Sequence, residues 1–182
     1  MTNHPVKATF VRLIGEKVIL TKFTERDITP EYVSWLNDPE VVRYSNQRFR
    51  LHTMASCLTY LSTFHGSDNI FFKIERKVDR LYVGTMTAYI SGAHQTVDMG
   101  IMVGRRSVWG EGIGQDAWNS LILWFLRQDG IRKVTAGTMR PNQAMIKLIE
   151  RSGMKLEAVR PKQEILNNIP TDLLYFGRFC DV

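Results

Sequence analysis

The sequence has few cysteines and no long apolar run. Its 182 residues include two cysteines, Cys57 and Cys180, and neither has metal-ligand spacing to the other or to a nearby histidine. We therefore expect two reduced thiols and no metal site. The most apolar stretch, Leu121 to Leu126, is far too short to cross a bilayer, and Met1 to Pro5 has no apolar signal-peptide core. These absences predict a cytoplasmic protein with no membrane partner.

The sequence also lacks a long tract of basic residues, although its formal net charge is +6. Such a charge favours an anionic ligand without identifying it. The basic residues are spread along the chain except for the pairs Arg105-Arg106 and Arg132-Lys133, which argues against a nucleic-acid partner. The apolar fraction of 44% is that of an ordinary globular protein, and we expect residues 1–182 to form a single domain.

The hydrophobic pattern predicts a mixed α/β fold. Strand-like runs cover 10–23, 69–75, 80–90, 96–103, 131–138, 155–166 and 171–179. Helical spacing predicts short helices after Thr24 and Thr53, a longer one from about Gln115 to Gln128, and another from Asn142. The strand, helix and strand between Thr96 and Thr138 require one parallel pair inside an otherwise antiparallel sheet.

Three alternating glycines, Gly110, Gly112 and Gly114, stand between a predicted strand and a predicted helix. A helix start presents unpaired N–H groups and the positive end of the helix dipole, and glycines let the backbone approach a phosphate closely. The spacing does not fit the dinucleotide fingerprint, which requires glycine at the position of Gln115, and the Gly-Lys-Ser/Thr of a P-loop is absent. A pyrophosphate site and a flexible turn with a helix cap both remain open on spacing alone.

Two ordered motifs carry a resemblance to a known family. The segment Trp109-Gly-Glu-Gly-Ile-Gly-Gln-Asp-Ala117 resembles the acetyl-CoA loop of GNAT acetyltransferases, with Trp109 in place of the usual Arg or Gln, as in the RimJ/RimL-like branch. Downstream, Asn142 to Met154 resembles the family's Asn-x-x-Ala/Ser helix, with Met154 in place of Phe, and Val83-Gly84 is a weaker third match. The resemblance implies the GNAT fold, a twisted and mostly antiparallel sheet with one splayed parallel strand pair and helices on both faces.

The resemblance also implies acetyl-CoA as co-substrate. The backbone of Ile101, Met102 and Val103 would pair with the pantetheine amides. The pyrophosphate would lie against the loop and the helix start, that is Trp109, Gly110, Glu111, Gly112, Ile113, Gly114 and Gln115. The side chain of Asn142 would reach the pantetheine arm, although it also fits a plain helix cap.

Chemistry in this family is direct transfer to a neutral amine, without a covalent acyl-enzyme. Asp98, on the strand that leads into the loop, is the expected catalytic base, although a solvent-facing or ion-paired Asp has the same pattern; His52 and Glu40 are alternatives. The tyrosine that many members use as acid is replaced by Ile149. That replacement leaves open an acyl-CoA-binding regulatory domain without catalysis.

The acceptor is predicted from the segment that continues from Trp35 through Asn37-Asp38-Pro39-Glu40-Val41 to Tyr44 and Arg48. This pattern resembles acetyltransferases of nucleotide-linked amino sugars, so Trp35, Tyr44 and Arg48 are predicted to bind such a small-molecule acceptor, with Arg48 suited to a phosphate. Protein N-termini and polyamines are the alternative acceptors. The sequence leaves the oligomeric state open between monomer and homodimer.

Overall fold

The computed structural model describes residues 12–180. Met1 to Pro5 and the predicted start of the first strand, Phe10 and Val11, lie outside the described residues. Residues 12–180 contain eight strands, β1 (Arg12–Ile14), β2 (Val18–Lys22), β3 (Ile70–Arg76), β4 (Tyr82–Ser91), β5 (Thr96–Val103), β6 (Lys133–Met139), β7 (Lys155–Leu166) and β8 (Ile169–Phe179). The four α-helices are α1 (Pro30–Leu36), α2 (Met54–Ser62), α3 (Ile113–Leu126) and α4 (Gln143–Arg151).

All eight strands form one sheet, in the order β1-β2-β3-β4-β5-β6-β8-β7. Every neighbouring pair is antiparallel except β5 and β6, which are parallel. That pair is short: it joins Thr96 to Lys133, Val97 to Val134 and Asp98 to Thr135, and no further rung follows. The predicted mixed sheet with one parallel pair is confirmed.

The helices cover both faces of the sheet. One face packs on α3 and α4. The core on this face includes four fully buried residues, Phe72, Trp118, Phe125 and Ile149. The other face carries α1 and α2 over a smaller aromatic cluster around Tyr32 and Phe71. Alternation along β5 follows from this arrangement, because Val97 and Met99 lie in the α3 core and Asp98 must therefore face the side of α1 and α2.

Two local features differ from the sequence prediction. The first predicted strand is a hairpin, since Gly15 turns the chain with its N–H bonded to the Val18 carbonyl at 2.9 Å. Helix α3 begins at Ile113 rather than Gln115, because Gly112 takes the left-handed conformation (φ 80°) that serves as its N-cap. Gly112 is required for its left-handed conformation, whereas Gly15 is required for space, because a Cβ there would collide with the Asp116 carboxylate.

Across residues 12–180, no helix has the length and apolar character needed to span a bilayer. Within the same range, no group of three His, Cys, Asp or Glu side chains is placed to hold a metal ion.

Candidate active site

A gap between β5 and β6 is the central feature of the site. The two strands share their last rung at Asp98 and Thr135, and the remainder of β5 to Val103 extends about 17 Å beyond it. A Cβ on Gly84 would collide with the Met102 carbonyl oxygen, so that carbonyl points to β4. Because peptide groups alternate along a strand, those of Ile101 and Val103 point towards the gap. Of the three predicted pantetheine partners, these two therefore face it and Met102 does not.

Trp109 lies across the open end of this gap. Its indole Nε1 donates a hydrogen bond to the Val103 carbonyl at 2.8 Å. The residue is 45% exposed, and the Arg106 guanidinium lies 5.7 Å from its ring centroid. Arg106 also lies 3.5 Å from the Asp38 carboxylate. The tryptophan that replaces the usual Arg or Gln thus donates a hydrogen bond to a backbone carbonyl on the edge of β5.

The N-terminus of α3 is open to a ligand. Gly110 and Gly112 both have positive φ, 82° and 80°, which places two left-handed residues immediately before the helix. No side chain caps the helix start. The N–H groups of Ile113, Gly114 and Gln115 are therefore the unpaired donors that a helix N-terminus presents. Bare N–H groups together with the positive end of a helix dipole form a favourable place for a phosphate.

Lys17 adds a positive charge beside this helix start. Its Nζ donates to the Glu111 carbonyl at 2.6 Å and lies 3.2 Å from where a Cβ on Gly112 would stand. The Glu111 carboxylate is in turn 3.3 Å from the Arg76 guanidinium. An open cavity of about 510 Å³ lies here, lined by Glu16, Lys17, Arg76, Lys77, Val78, Glu111 and Ile113.

Sequence reasoning missed Lys17 as part of the loop. It lies 94 residues before Glu111 in the chain, on the turn between β1 and β2, and no local motif links the two. The link is made by Asp116 in the first turn of α3, whose carboxylate accepts hydrogen bonds from the N–H groups of that turn, those of Glu16, Lys17 and Val18, at 3.2, 2.8 and 3.0 Å.

The side chain of Asn142, predicted to reach the pantetheine arm, and that of Gln115, predicted at the helix start, are both engaged within the protein. The Asn142 Oδ1 accepts the Met145 N–H at 3.3 Å and its Nδ2 donates to the Thr138 hydroxyl oxygen at 3.1 Å, so this side chain caps α4. The Gln115 Nε2 donates to Asn119 and to the Leu148 carbonyl, which joins α3 to α4. Both side chains hold the wall of the gap in place.

Asp98 stands at the closed end of the gap. The Thr135 hydroxyl donates to its Oδ1 at 2.7 Å. Although Asp98 is exposed, the surrounding protein displaces enough water from the carboxylate to raise its pKa above the ordinary value, and the Thr135 hydrogen bond opposes that rise. On the neighbouring strand Tyr89 pairs with Asp98, and its hydroxyl lies 2.7 Å from the Tyr60 hydroxyl.

The three residues predicted to bind the acceptor lie away from Asp98 or are already engaged. The Trp35 indole is 6% exposed and packs directly over Gly104, where no Cβ would fit. Tyr44 is half-buried beneath the Arg43 guanidinium. The Arg48 guanidinium donates to the Ser45 carbonyl at 2.7 Å and the Ile165 carbonyl at 2.8 Å, and so ties its loop to the end of β7.

The two alternative bases, His52 and Glu40, lie away from the gap, and Ile149 at the expected position of the acid is buried. His52 contacts the Gln47 carbonyl through Nε2 at 3.2 Å, within the loop before α2, and Glu40 is exposed after α1. Neither lies on a strand that borders the gap. Ile149 is 0% exposed, so the family's tyrosine position is filled by a core side chain.

Comparison with known proteins agrees with this geometry. The chain shares its fold with an L7/L12 α-N-protein acetyltransferase, RimL, solved with coenzyme A (TM-score 0.80, 16% identity, 93% of this chain and 98% of that one). It shares it also with a spermidine N-acetyltransferase from Vibrio cholerae solved with CoA and spermine (0.78, 15%, 90% and 96%). A third is the ribosomal-protein-S5-alanine acetyltransferase from Vibrio fischeri (0.76, 16%, 94% and 98%).

A search of the curated proteins finds no match to the sequence. The acetyltransferase (GNAT) domain family, in contrast, matches residues 17–155, a range that includes the β5–β6 gap, the glycine loop and the cap at Asn142. The chain therefore belongs to the GNAT family of acetyltransferases, enzymes that take their acetyl group from acetyl-CoA.

Proposed function

We propose that the protein transfers the acetyl group of acetyl-CoA directly to the N-terminal amine of a protein or peptide. One observation carries the proposal: a single gap in the sheet has an uncapped helix N-terminus at its open end and the Asp98 carboxylate at its closed end. The first feature suits a diphosphate and the second suits a reacting amine. A long, narrow donor held by its phosphates fits between them.

Acetyl-CoA would lie along β5, from the start of α3 to the rung at Asp98. The N–H groups at the start of α3 would hold the pyrophosphate, with Lys17 adjacent. The peptide group of Ile101 and the N–H of Val103 would pair with the pantetheine amides, while the Val103 carbonyl accepts from Trp109. The thioester would then come to rest near the rung between Asp98 and Thr135, because the strands are joined there and the gap ends.

Asp98 supports direct transfer. The neutral amine attacks the thioester carbonyl carbon, a C–N bond forms and the C–S bond breaks, and the amine gives up one proton. A carboxylate with a raised pKa is a stronger base than an ordinary one. Asp98 would accept that proton, directly or through one water, and the hydroxyl of Thr135 would keep the carboxylate oriented.

Four observations support a protein N-terminus as the acceptor. Arg48, the predicted phosphate ligand of an amino-sugar nucleotide, is held in place by hydrogen bonds to two backbone carbonyls. A polyamine needs clustered carboxylates, yet Glu157 on β7 is paired with the Lys133 ammonium at 2.6 Å. In contrast, nine consecutive residues of β7, 155–163, are exposed and offer an extended surface. Two of the similar structures act on the N-termini of ribosomal proteins.

The proposal is tested by an acceptor panel. Release of CoA from acetyl-CoA is measured with peptides that begin with Ser or Ala, with spermidine, and with a nucleotide-linked amino sugar, and the product is identified by mass spectrometry. We expect turnover with a peptide, strongly reduced by D98N. Turnover confined to spermidine or the amino sugar would contradict the acceptor class. Binding of acetyl-CoA without turnover of any amine would instead indicate a regulatory acyl-CoA-binding domain.

A further inference from the structure

The site as described has a base and no proton donor for the departing thiolate. The position that supplies a tyrosine in other members holds Ile149, which is 0% exposed in the core. A proton donor in place of that tyrosine must lie beside the gap and carry an ionisable hydroxyl. Its hydroxyl proton must not already be donated in a hydrogen bond to another group. Such a donor must lie on the sheet face that carries Asp98, because the opposite face is filled by α3 and α4.

Tyr175 on β8 meets these conditions. Leu174 and Phe176 belong to the α3 core, so Tyr175 lies on the face of Asp98. It pairs with Gly137 of β6, and a Cβ on that glycine would stand 3.4 Å from Tyr175 Cε1 and 3.5 Å from Cδ1. The ring therefore leans over β6 towards the gap, in the space that the missing side chain leaves.

The position along β6 is also suitable. Gly137 is two residues, about 7 Å, beyond Thr135, which forms the last rung with Asp98. The ring thus crosses β6 just inside the gap, where the sulfur of a bound thioester would follow its carbonyl. On its outer side the Arg160 guanidinium lies 4.8 Å from the ring centroid, a cation–π contact that holds the ring against β6.

Other hydroxyls near the gap are engaged or misplaced. Thr135 donates its proton to Asp98. Tyr89 lies on β4, one strand further from the gap, and is bonded to Tyr60. Thr138 faces the opposite side of the sheet, where its oxygen accepts from Asn142. Within residues 12–180 no hydrogen bond engages the Tyr175 hydroxyl.

We propose that Tyr175 is the catalytic residue that protonates the thiolate of CoA, an inference that rests on the proposed acetyl transfer. As the C–S bond breaks, the sulfur takes its electron pair and the proton of the Tyr175 hydroxyl, so CoA leaves as the thiol. Asp98 holds the proton of the amine, and the phenolate regains a proton from solvent before the next cycle.

The test uses Y175F with Y89F as the matched control, both of which keep the ring and lose only the hydroxyl. Initial rates are measured against pH with acetyl-CoA and the fastest amine of the acceptor panel, and CoA binding is measured by calorimetry. If Tyr175 is the acid, the native enzyme should show an alkaline fall in kcat. We expect Y175F to lower kcat roughly 100-fold with unchanged affinity for CoA and to lack that fall. Y89F should keep both the rate and that limb.

Each other outcome overturns the assignment. A Y175F rate within about twofold of the native rate excludes a proton donor at this position. A lower rate with the alkaline limb intact shows that the hydroxyl only supports the structure or the acceptor. If the native protein binds acetyl-CoA and acetylates no amine, the proposed function fails and this role fails with it. Native turnover with an unaffected Y175F rejects Tyr175 alone.

Discussion

The Thr135 hydroxyl donates a 2.7 Å hydrogen bond to the Asp98 carboxylate across the last rung of the parallel pair. This bond joins the point where the sheet opens to the group that would take the proton of the amine. It also affects the basicity of the carboxylate, because removal of water raises the Asp98 pKa while this hydrogen bond lowers it. Thr135 can therefore be used to shift the pKa of Asp98 without removing Asp98.

The first prediction concerns the acidic limb of the rate against pH. Asp98 acts as a base only when it is deprotonated, so kcat should fall as pH drops through its raised pKa. T135V removes the hydrogen bond that favours the carboxylate form, so the pKa rises further and the limb moves to higher pH. T135S retains a hydroxyl and should leave the limb in place.

D98N completes this experiment. We expect it to lower kcat roughly 100-fold and to abolish the acidic limb, since no titrating base is left. The pH profiles of the four proteins are measured at saturating acetyl-CoA. A limb that is unmoved in T135V, or that persists in D98N, assigns the titration to another group.

The second prediction separates backbone strain from phosphate binding. Gly112 has φ 80° and a Cβ there would meet the Lys17 ammonium at 3.2 Å, beside the expected pyrophosphate. Gly66 has φ 72° with open space around it. Alanine at either position should cost about 1–2 kcal/mol of stability, and only G112A should weaken the binding of acetyl-CoA.

Thermal melting and calorimetry of G112A and G66A give the two readouts. Equal loss of acetyl-CoA affinity in both variants would trace the effect to general destabilisation. Unchanged affinity in G112A would remove the glycine loop from the binding site.

The third prediction concerns Lys17. Its ammonium stands beside the helix start, so K17M should weaken acetyl-CoA binding roughly tenfold, as expected for one lost charge-assisted contact. The effect should shrink as salt rises, because ions screen an exposed charge. Lys22, exposed at the other end of β2, provides the control K22M. Equal effects of K17M and K22M would show that Lys17 acts only through the net charge of the protein. A loss of affinity in K17M that does not change with salt would show that Lys17 acts through the structure of the turn.

The glycine loop, the order of strands and helices along the chain and the cap at Asn142 could be predicted from the sequence because each depends on neighbours in the chain. Gly110 and Gly112 precede a helical stripe directly, and Asn142 caps the turn that begins at the next residue. The sequence predicts the helix start two residues late, since a left-handed Gly112 cannot be distinguished from an ordinary loop glycine by its position alone.

The acceptor side could not be predicted in the same way. Arg48 was expected to face a ligand, yet its partner Ile165 is 117 residues away, and a backbone carbonyl has no sequence signature. A tryptophan at position 35 fits both a sugar platform and a core residue in the sequence, and the burial of Trp35 with its contact to Gly104 identifies it as a core residue. Tyr175 is separated by the whole of α4 and β7 from the glycine it covers.

The last prediction concerns how the β7–β8 hairpin is held. The Asp172 carboxylate accepts the Lys162 N–H at 2.9 Å and the Arg140 Nε at 2.9 Å, and so ties the irregular part of β7, where Lys162 has φ 53°, to the end of β6. The Lys162 hydrogen bond first, and then Arg140, lower the Asp172 pKa. Because the pKa is lowered on folding, this stabilisation is present above the unfolded value of about 4 and is lost as pH falls through the folded value.

D172N should therefore melt below the native protein at pH 7 and converge with it in acid, whereas D129N, at an exposed position after α3, should track the native protein throughout. A constant difference between D172N and the native protein at every pH would show that the carboxylate's charge does not stabilise the hairpin.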